Sequence, residues 1–236
     1  MLSEKVTVFE EGQVLLFDKP LYWTSFDLVN KVRIMIRSAF GIKKIKVGHA
    51  GTLDPLASGL MVICTGKATK KIDEFRDLDK EYVATIHLGE TTPSFDLETE
   101  TDEHYPTSHI SEENVRKILD SFLGEQKQLP PMYSAKRIAG KRAYEFAREG
   151  IHKELEPVTV FFREIELLSF GIPETKIRLV CSKGTYIRSF ARDFGKALKS
   201  GSYLSALERT AIGSYHVSQA YDLEKFQDYI EQMKQI

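Results

Sequence analysis

A single carboxylate framed by glycines and a proline is the first candidate for chemistry. Asp54 stands in Gly48-His49-Ala50-Gly51-Thr52-Leu53-Asp54-Pro55-Leu56-Ala57-Ser58-Gly59-Leu60, between a basic segment and an apolar run. Pro55 fixes its own φ and restricts Asp54 to extended backbone values, while the glycines allow positive φ or close approach of a ligand. A carboxylate held in this way can serve as a nucleophile. The residues alone leave a plainer alternative open, an Asp-Pro pair that starts a turn. A phosphate-binding loop is excluded. Six residues separate Gly59 from Gly66 where four are needed, and Ala68 stands where Ser or Thr would bind magnesium.

The net charge is −1, so an anionic partner would have to be met by local positive charge. Such charge is present. Lys43, Lys44 and Lys46 precede His49, and Lys67, Lys70 and Lys71 follow Cys64. Over 131–153, Lys136, Arg137, Lys141, Arg142, Arg148 and Lys153 face only Glu145 and Glu149, six against two, a net +4 with His152 left aside. Each cluster taken singly also fits a solvated helix face. Cys64 and Cys181 lie far apart in apolar, strand-like runs. They cannot form a four-ligand zinc site by themselves and are expected to be buried reduced thiols. The first residues are acidic where a signal peptide would be basic. No apolar run reaches the roughly 18 residues needed to span a bilayer, so the cytoplasm is the expected location.

The elements that must position these residues are read from periodicity. Val14–Phe17 is a short apolar strand ending at Lys19-Pro20. From Thr24 the period becomes 3.6. Phe26, Val29, Val32, Ile36 and Phe40 share one face, Thr24 or Ser25 caps the start and Gly41 stops the helix. Leu60–Cys64 is a buried strand, 68–78 a helix and Glu81–Leu88 a strand rich in β-branched and aromatic residues. The polar stretch 89–109 is expected to be a long surface loop. A helix follows over Glu112–Phe122, and Pro130-Pro131 breaks the chain before a basic, aromatic segment. Strands are expected near 157–170 and 175–181. Ile187, Phe190, Ala191, Phe194 and Leu198 then mark an amphipathic helix, followed by a strand near 210–217 and a helix from Asp222. Strands and helices mix without a strict βαβ rhythm, so the fold class is α+β with a largely antiparallel sheet.

The run GHAGTLDPLASGLMVICTGKATK at 48–70 resembles the signature of the TruB family, the tRNA pseudouridine-55 synthases. Further motifs follow in the family's order: FDKP at 17–20, KEYVATIHLG at 80–89, PPMYSAKRIAGKRAYEFAREG at 130–150 and CSKGTYIRSFARDFG at 181–195. The resemblance implies a pseudouridine synthase fold in one catalytic domain over 1–236, a mostly antiparallel central sheet flanked by helices, with an RNA-gripping insertion at about 125–153. It implies Asp54 as nucleophile, oriented by Arg188, and Tyr82 stacking on the target uracil with its hydroxyl available for proton transfer. An unperturbed aspartate, with a pKa of about 3.9, is already ionised at neutral pH, so the arginine would mainly orient it and offset its burial. The resemblance also makes His49 a residue that holds RNA after the base has left its stack. Tyr186 and Leu207 become contacts near the base, and Lys19 and Pro20 support for that wall. Lys136, Arg137, Lys141 and Arg142 become phosphate contacts. Tyr133, Tyr144 and Phe146 are expected to pack on the insertion's own hinge.

The implied reaction is isomerisation of uridine to pseudouridine in the T-arm of tRNA, with no cofactor and no metal, by a monomer. Two departures stand out. Tyr22 replaces the glycine of the family's N-terminal Lys-Pro motif, so that turn is expected to take another conformation. The chain also ends soon after the last expected strand, so no C-terminal PUA domain is expected. Two competing functions are a catalytically silent tRNA-binding or tRNA-folding module and a hydrolase that releases the base. The carboxylate beside an anionic ligand argues against the first, and release of free uracil would mark the second.

Overall fold

The computed structural model describes residues 8–134, 137–138, 141–149, 151 and 155–235. In chain order the strands are β1 (Val14–Lys19), β2 (Val47–His49), β3 (Ala57–Thr65), β4 (Lys80–Leu88), β5 (Glu90–Thr91), β6 (Glu103–His104), β7 (Gly124–Gln128), β8 (Arg137–Ile138), β9 (Lys141–Arg142), β10 (Val158–Ser169), β11 (Glu174–Cys181), β12 (Ser202–Ile212) and β13 (Tyr215–His216). The α-helices are α1 (Ser25–Phe40), α2 (Ile72–Asp77), α3 (Glu112–Ser121), α4 (Ala143–Arg148), α5 (Ile187–Ala197) and α6 (Leu223–Gln235). The chain divides into two compact units, Met1–Glu81 with Glu208–Ile236, and Tyr82–Leu207.

In the first unit β1 and β2 both run antiparallel to β3, with Lys19 opposite Gly59 and His49 opposite Ile63. β3 is buried along almost its whole length, as an inner strand covered on both faces must be. Leu60, Val62 and Cys64 pack with Ala50, Phe75 and Ile212. Gly59 is required here. Its φ is +103°, and a Cβ would lie 2.4 Å from the Arg209 carbonyl oxygen of β12. Helix α1 starts as its sequence dictates. The Thr24 hydroxyl accepts from Asp27 N at 3.1 Å and the Asp27 carboxylate accepts from Thr24 N at 2.9 Å, a capping box of the kind worth about 1 kcal/mol. Gly41, in a left-handed conformation, ends it. Phe17 and Phe226 pack edge to face at 4.9 Å, so α6 covers β1.

In the second unit the strand order is β12-β4-β11-β10-β7. β10 pairs antiparallel with both β11 and β7. Alternate residues of β4, from Lys80 through Tyr82, Ala84 and Ile86 to Leu88, are buried. Helix α5 buries Ile187, Phe190, Ala191 and Phe194. Phe190 stacks on Phe194 at 5.9 Å and meets Phe122 and Phe162 at 5.1 and 5.3 Å.

The helices expected over 25–40, 112–122 and 187–198 and the strands near 157–170 and 175–181 are present. Both cysteines are buried free thiols; burial pushes the Cys64 thiol up to about 11. Five expectations are corrected. Phe26 is 66% exposed, and Ser25 takes the buried slot at the start of α1 instead. The stretch 68–78 is a 3₁₀ turn over Gly66–Lys71 followed by the short α2. The stretch 89–109 is not simply surface. It forms the β5–β6 pair, and Thr92, Ser94 and Asp96 are buried, with both hydroxyls donating to the Asp96 carbonyl. The last long strand begins at Ser202, well before 210, and β7 shows no apolar alternation because its less exposed positions are Gly124, Gln126 and Gln128. Finally, the turn at Tyr22 does not depart from a glycine-type conformation: its φ is +66°.

Candidate active site

The first unit holds Asp54, His49 and Lys19. Asp54 is half-buried, and both residues beside it are pinned. Leu53 N donates to the buried Ser25 hydroxyl at 2.8 Å, and that hydroxyl donates back to the Leu53 carbonyl at 3.0 Å. Beyond Asp54, Tyr22 N donates to the Pro55 carbonyl at 2.7 Å, and Ala57 N donates to the Asp54 carbonyl at 3.0 Å. The loop is thus tied to the start of α1 and closes on itself before entering β3. Arg209, 1% exposed, clamps its other side, with Nε donating to Leu60 O at 2.7 Å and Nη2 to Gly51 O at 3.2 Å.

Lys19 is fully buried at the end of β1. Its ammonium donates to the carbonyls of Pro20 at 2.9 Å and Trp23 at 2.7 Å, which fastens the turn between β1 and α1. Burial pushes its pKa down to about 8; the negative charge of Asp54 opposes that shift and the Arg209 cation adds to it. A buried cation therefore lies within electrostatic reach of the Asp54 carboxylate. His49 closes β2. Burial, with the Arg209 and Arg76 charges, lowers its pKa, and a Gly51 backbone group acts the other way. Its imidazole is therefore neutral at pH 7, and among the described residues its buried Nδ1 has no hydrogen-bond partner.

The second unit holds Tyr82, Tyr186, Arg188 and Leu207. Tyr82 is buried on β4, and Leu207 is half-buried on β12. Tyr186 precedes α5, and its N–H donates to the Gln128 side chain at 2.8 Å. Arg188, 5% exposed, sits in the first turn of α5. Its guanidinium lies 3.5 Å from the buried Asp96 carboxylate and donates to the Tyr133 carbonyl at 2.8 Å. The Leu129 carbonyl accepts from Ser189 at 2.8 Å and from Arg192 at 3.2 Å. The opening of the basic segment is thus held on α5.

Residues 37–187 match the family model described as TruB family pseudouridylate synthase, N-terminal domain. The tRNA pseudouridine synthase B of Phocaeicola vulgatus is 56% identical over 226 residues, 96% of either chain. That of Chloroherpeton thalassium is 44% identical over 236 residues, 99% of this chain and 95% of the relative.

The chain belongs to the TruB family.

Its fold is the pseudouridine synthase fold. A chain in an H/ACA ribonucleoprotein bound to a substrate RNA containing 2′-deoxyuridine superposes with a TM-score of 0.69 at 26% identity. One in a Cbf5-Nop10-Gar1 complex gives 0.70, also at 26%. Each match covers 99% of this chain but only 57% and 58% of those longer chains.

Within this TruB-family chain the expected residues fall into the two sets just described. Of the basic grip, Lys136 lies outside the described residues, and Arg137 and Arg142 are described in backbone only, on β8 and β9. Lys141 is exposed, with its ammonium 5.8 Å above the Phe146 ring. Tyr133 is half-buried, and the Tyr144 side chain lies outside the description. Three structural residues escaped the sequence reading. Ser25 and Arg209 brace the Asp54 loop, and Asp96 pairs with Arg188. The only available signals were the position of Arg209 in YLSALERTAIG and of Asp96 in an unusually long loop. Among the described residues no three His, Cys, Asp or Glu side chains cluster to hold a metal, and no helix is long and apolar enough to cross a membrane.

Proposed function

We propose that this chain isomerises uridine to pseudouridine at position 55, in the T-arm of tRNA, with Asp54 as nucleophile. The observation that carries the reading is the Asp54 loop itself, a half-buried carboxylate pinned on both sides by hydrogen bonds from Ser25 and Tyr22. It lies in a chain 56% identical to a relative named tRNA pseudouridine synthase B.

The reaction breaks N1–C1′, turns the uracil and joins C5 to C1′. The C5 proton leaves to solvent and N1 takes one up, so atoms and electrons balance without a redox partner. Pinning supports the role because a nucleophile displaced by about 1 Å can lose about 100-fold in rate. Tyr82 and Arg188 serve the same reaction, the first at the uracil ring and in proton transfer, the second in orienting the carboxylate. His49, neutral and planar, holds the RNA once the base has left its stack; Tyr186 and Leu207 line the base, and Lys19 stiffens the turn behind Asp54. Lys136, Arg137, Lys141 and Arg142 bind phosphates, which gives salt-dependent affinity. The same reading makes the chain a cytoplasmic monomer and the two units one catalytic domain.

The test is tritium release from tRNA labelled at uridine C5. Wild type releases tritium, and Asp54→Asn releases essentially none while still binding tRNA. A fully active Asp54→Asn protein, or accumulation of free uracil, would overturn the reading.

A further inference from the structure

We propose that the open cleft beside the start of α1 is a stacking site for an unpaired nucleobase of the same RNA strand that carries the reacting uridine. The cleft has a volume of about 420 Å³ and is lined by Tyr22, Trp23, Asp27, Asn30, Lys31 and Ile34. The inference rests on the function proposed above.

Three observations lead there. The first is Tyr22. It is held at φ +66°, a left-handed conformation that is strained for a bulky residue. Its side chain is 76% exposed, so packing within the chain does not offset that strain. An aromatic ring is thus presented to solvent at a backbone position where glycine would sit without strain.

The second is rigidity. Tyr22 N donates to Pro55 O at 2.7 Å, and the buried Lys19 ammonium holds the carbonyls of Pro20 and Trp23. The Tyr22-Trp23 ledge is thereby fixed relative to the residue that follows Asp54. A nucleotide close to the target uridine along the strand is the ligand such a ledge would meet.

The third is the chemistry of the lining. Two aromatic faces offer stacking, which any base can use. Asn30 carries a carboxamide able to pair with a base edge, its Oδ1 accepting from Arg33 at 3.2 Å. Lys31, exposed beside it, supplies a cation for a phosphate. The one carboxylate, Asp27, is engaged in the helix cap, accepting from Thr24 N at 2.9 Å and Thr24 Oγ1 at 2.6 Å. Two aromatic rings, a carboxamide and a cation beside a single aliphatic side chain, Ile34, suit a nucleotide better than an aliphatic peptide face, which would be met by several aliphatic side chains.

Trp23 is the only tryptophan in the chain, so its fluorescence reports on this cleft alone. A dye-labelled T-arm stem-loop RNA is titrated into Asp54→Asn protein, and anisotropy and tryptophan emission are recorded together. The expected result is saturable quenching that tracks the anisotropy. Tyr22→Gly in the same background is expected to weaken binding by about fivefold or more, the equivalent of a 1 kcal/mol base stack, with a thermal midpoint no lower than that of its parent. Emission that stays constant while anisotropy saturates overturns the inference, and so does a Tyr22→Gly protein that binds as tightly as its parent. Either result leaves the isomerase reading intact if the wild-type protein still releases tritium. If no RNA binds and no tritium is released, the isomerase reading fails and the stacking site fails with it.

Discussion

Ser25→Ala is the substitution that most directly tests whether the Asp54 loop is held for catalysis. Ser25 is 3% exposed and Leu53 4%. The Ser25 hydroxyl accepts from Leu53 N at 2.8 Å and donates to Leu53 O at 3.0 Å. Alanine leaves both buried backbone groups without these partners, at about 1–3 kcal/mol each. Partial hydration of the vacated space favours the lower half of that sum, so a loss of about 3 kcal/mol is expected. At a urea slope of about 1–3 kcal/mol/M, the unfolding midpoint falls by about 1–3 M. Because the lost bonds sit next to Asp54, kcat for tritium release falls at least tenfold, on the way to the 100-fold expected of a displacement of about 1 Å. Thr24→Ala is the control. It removes the capping box of the same helix for about 1 kcal/mol, and no hydrogen bond joins Thr24 to Leu53. Its kcat is expected to stay within about twofold of wild type, because Thr24 bonds to Asp27 and holds neither Leu53 nor Pro55. A Ser25→Ala protein that is destabilised yet keeps wild-type kcat would refute the positional argument. One that is not destabilised would refute the energetics.

Two further perturbations probe the buried charges. Lys19 is pushed from 10.5 to about 8 in the folded protein. Between those values the unfolded chain binds the proton that the folded chain has released, so stability rises with pH across that window. Relative to Lys19→Met, the wild type should gain at most about 3 kcal/mol from pH 8 to pH 10.5, measured by urea unfolding at fixed ionic strength; a flat difference would contradict the lowered pKa. Asp96→Asn removes the charge 3.5 Å from the Arg188 guanidinium. It is expected to cost about 3 kcal/mol, as breaking a buried ion pair does, and to lower kcat; a stability change under about 1 kcal/mol would show that the pair is structurally dispensable.

What the sequence revealed and what it concealed divide along a physical line. Periodicity reports the burial of apolar side chains, so α5, β4 and the body of α1 were legible from Ile187, Phe190, Ala191 and Phe194, from Tyr82, Ala84 and Ile86, and from Val29, Val32 and Ile36. The frame around Asp54 was legible for another reason: Pro55 restricts the backbone, and glycines permit conformations closed to other residues, wherever they occur. The residues that hold the site in place are polar groups in buried slots, and these read as surface positions until their partners are known. Those partners are remote in sequence. Ser25 reaches Leu53 across 28 positions and Arg209 reaches Leu60 across 149. The misreading of Phe26 has the same origin. At the first turn of α1 two stripes compete for the core, and an apolar stripe through Phe26 is the better guess from hydrophobicity alone. The structure buries Ser25 instead, because the Leu53 N–H and C=O need a small group that both donates and accepts. Phe26 is consequently left 66% exposed, next in sequence to the Tyr22-Trp23 cleft region. The requirement that braces the Asp54 loop is thus also what turns the Phe26 ring outward in the first turn of α1, so loop bracing and Phe26 exposure should change together in any relative that loses the serine.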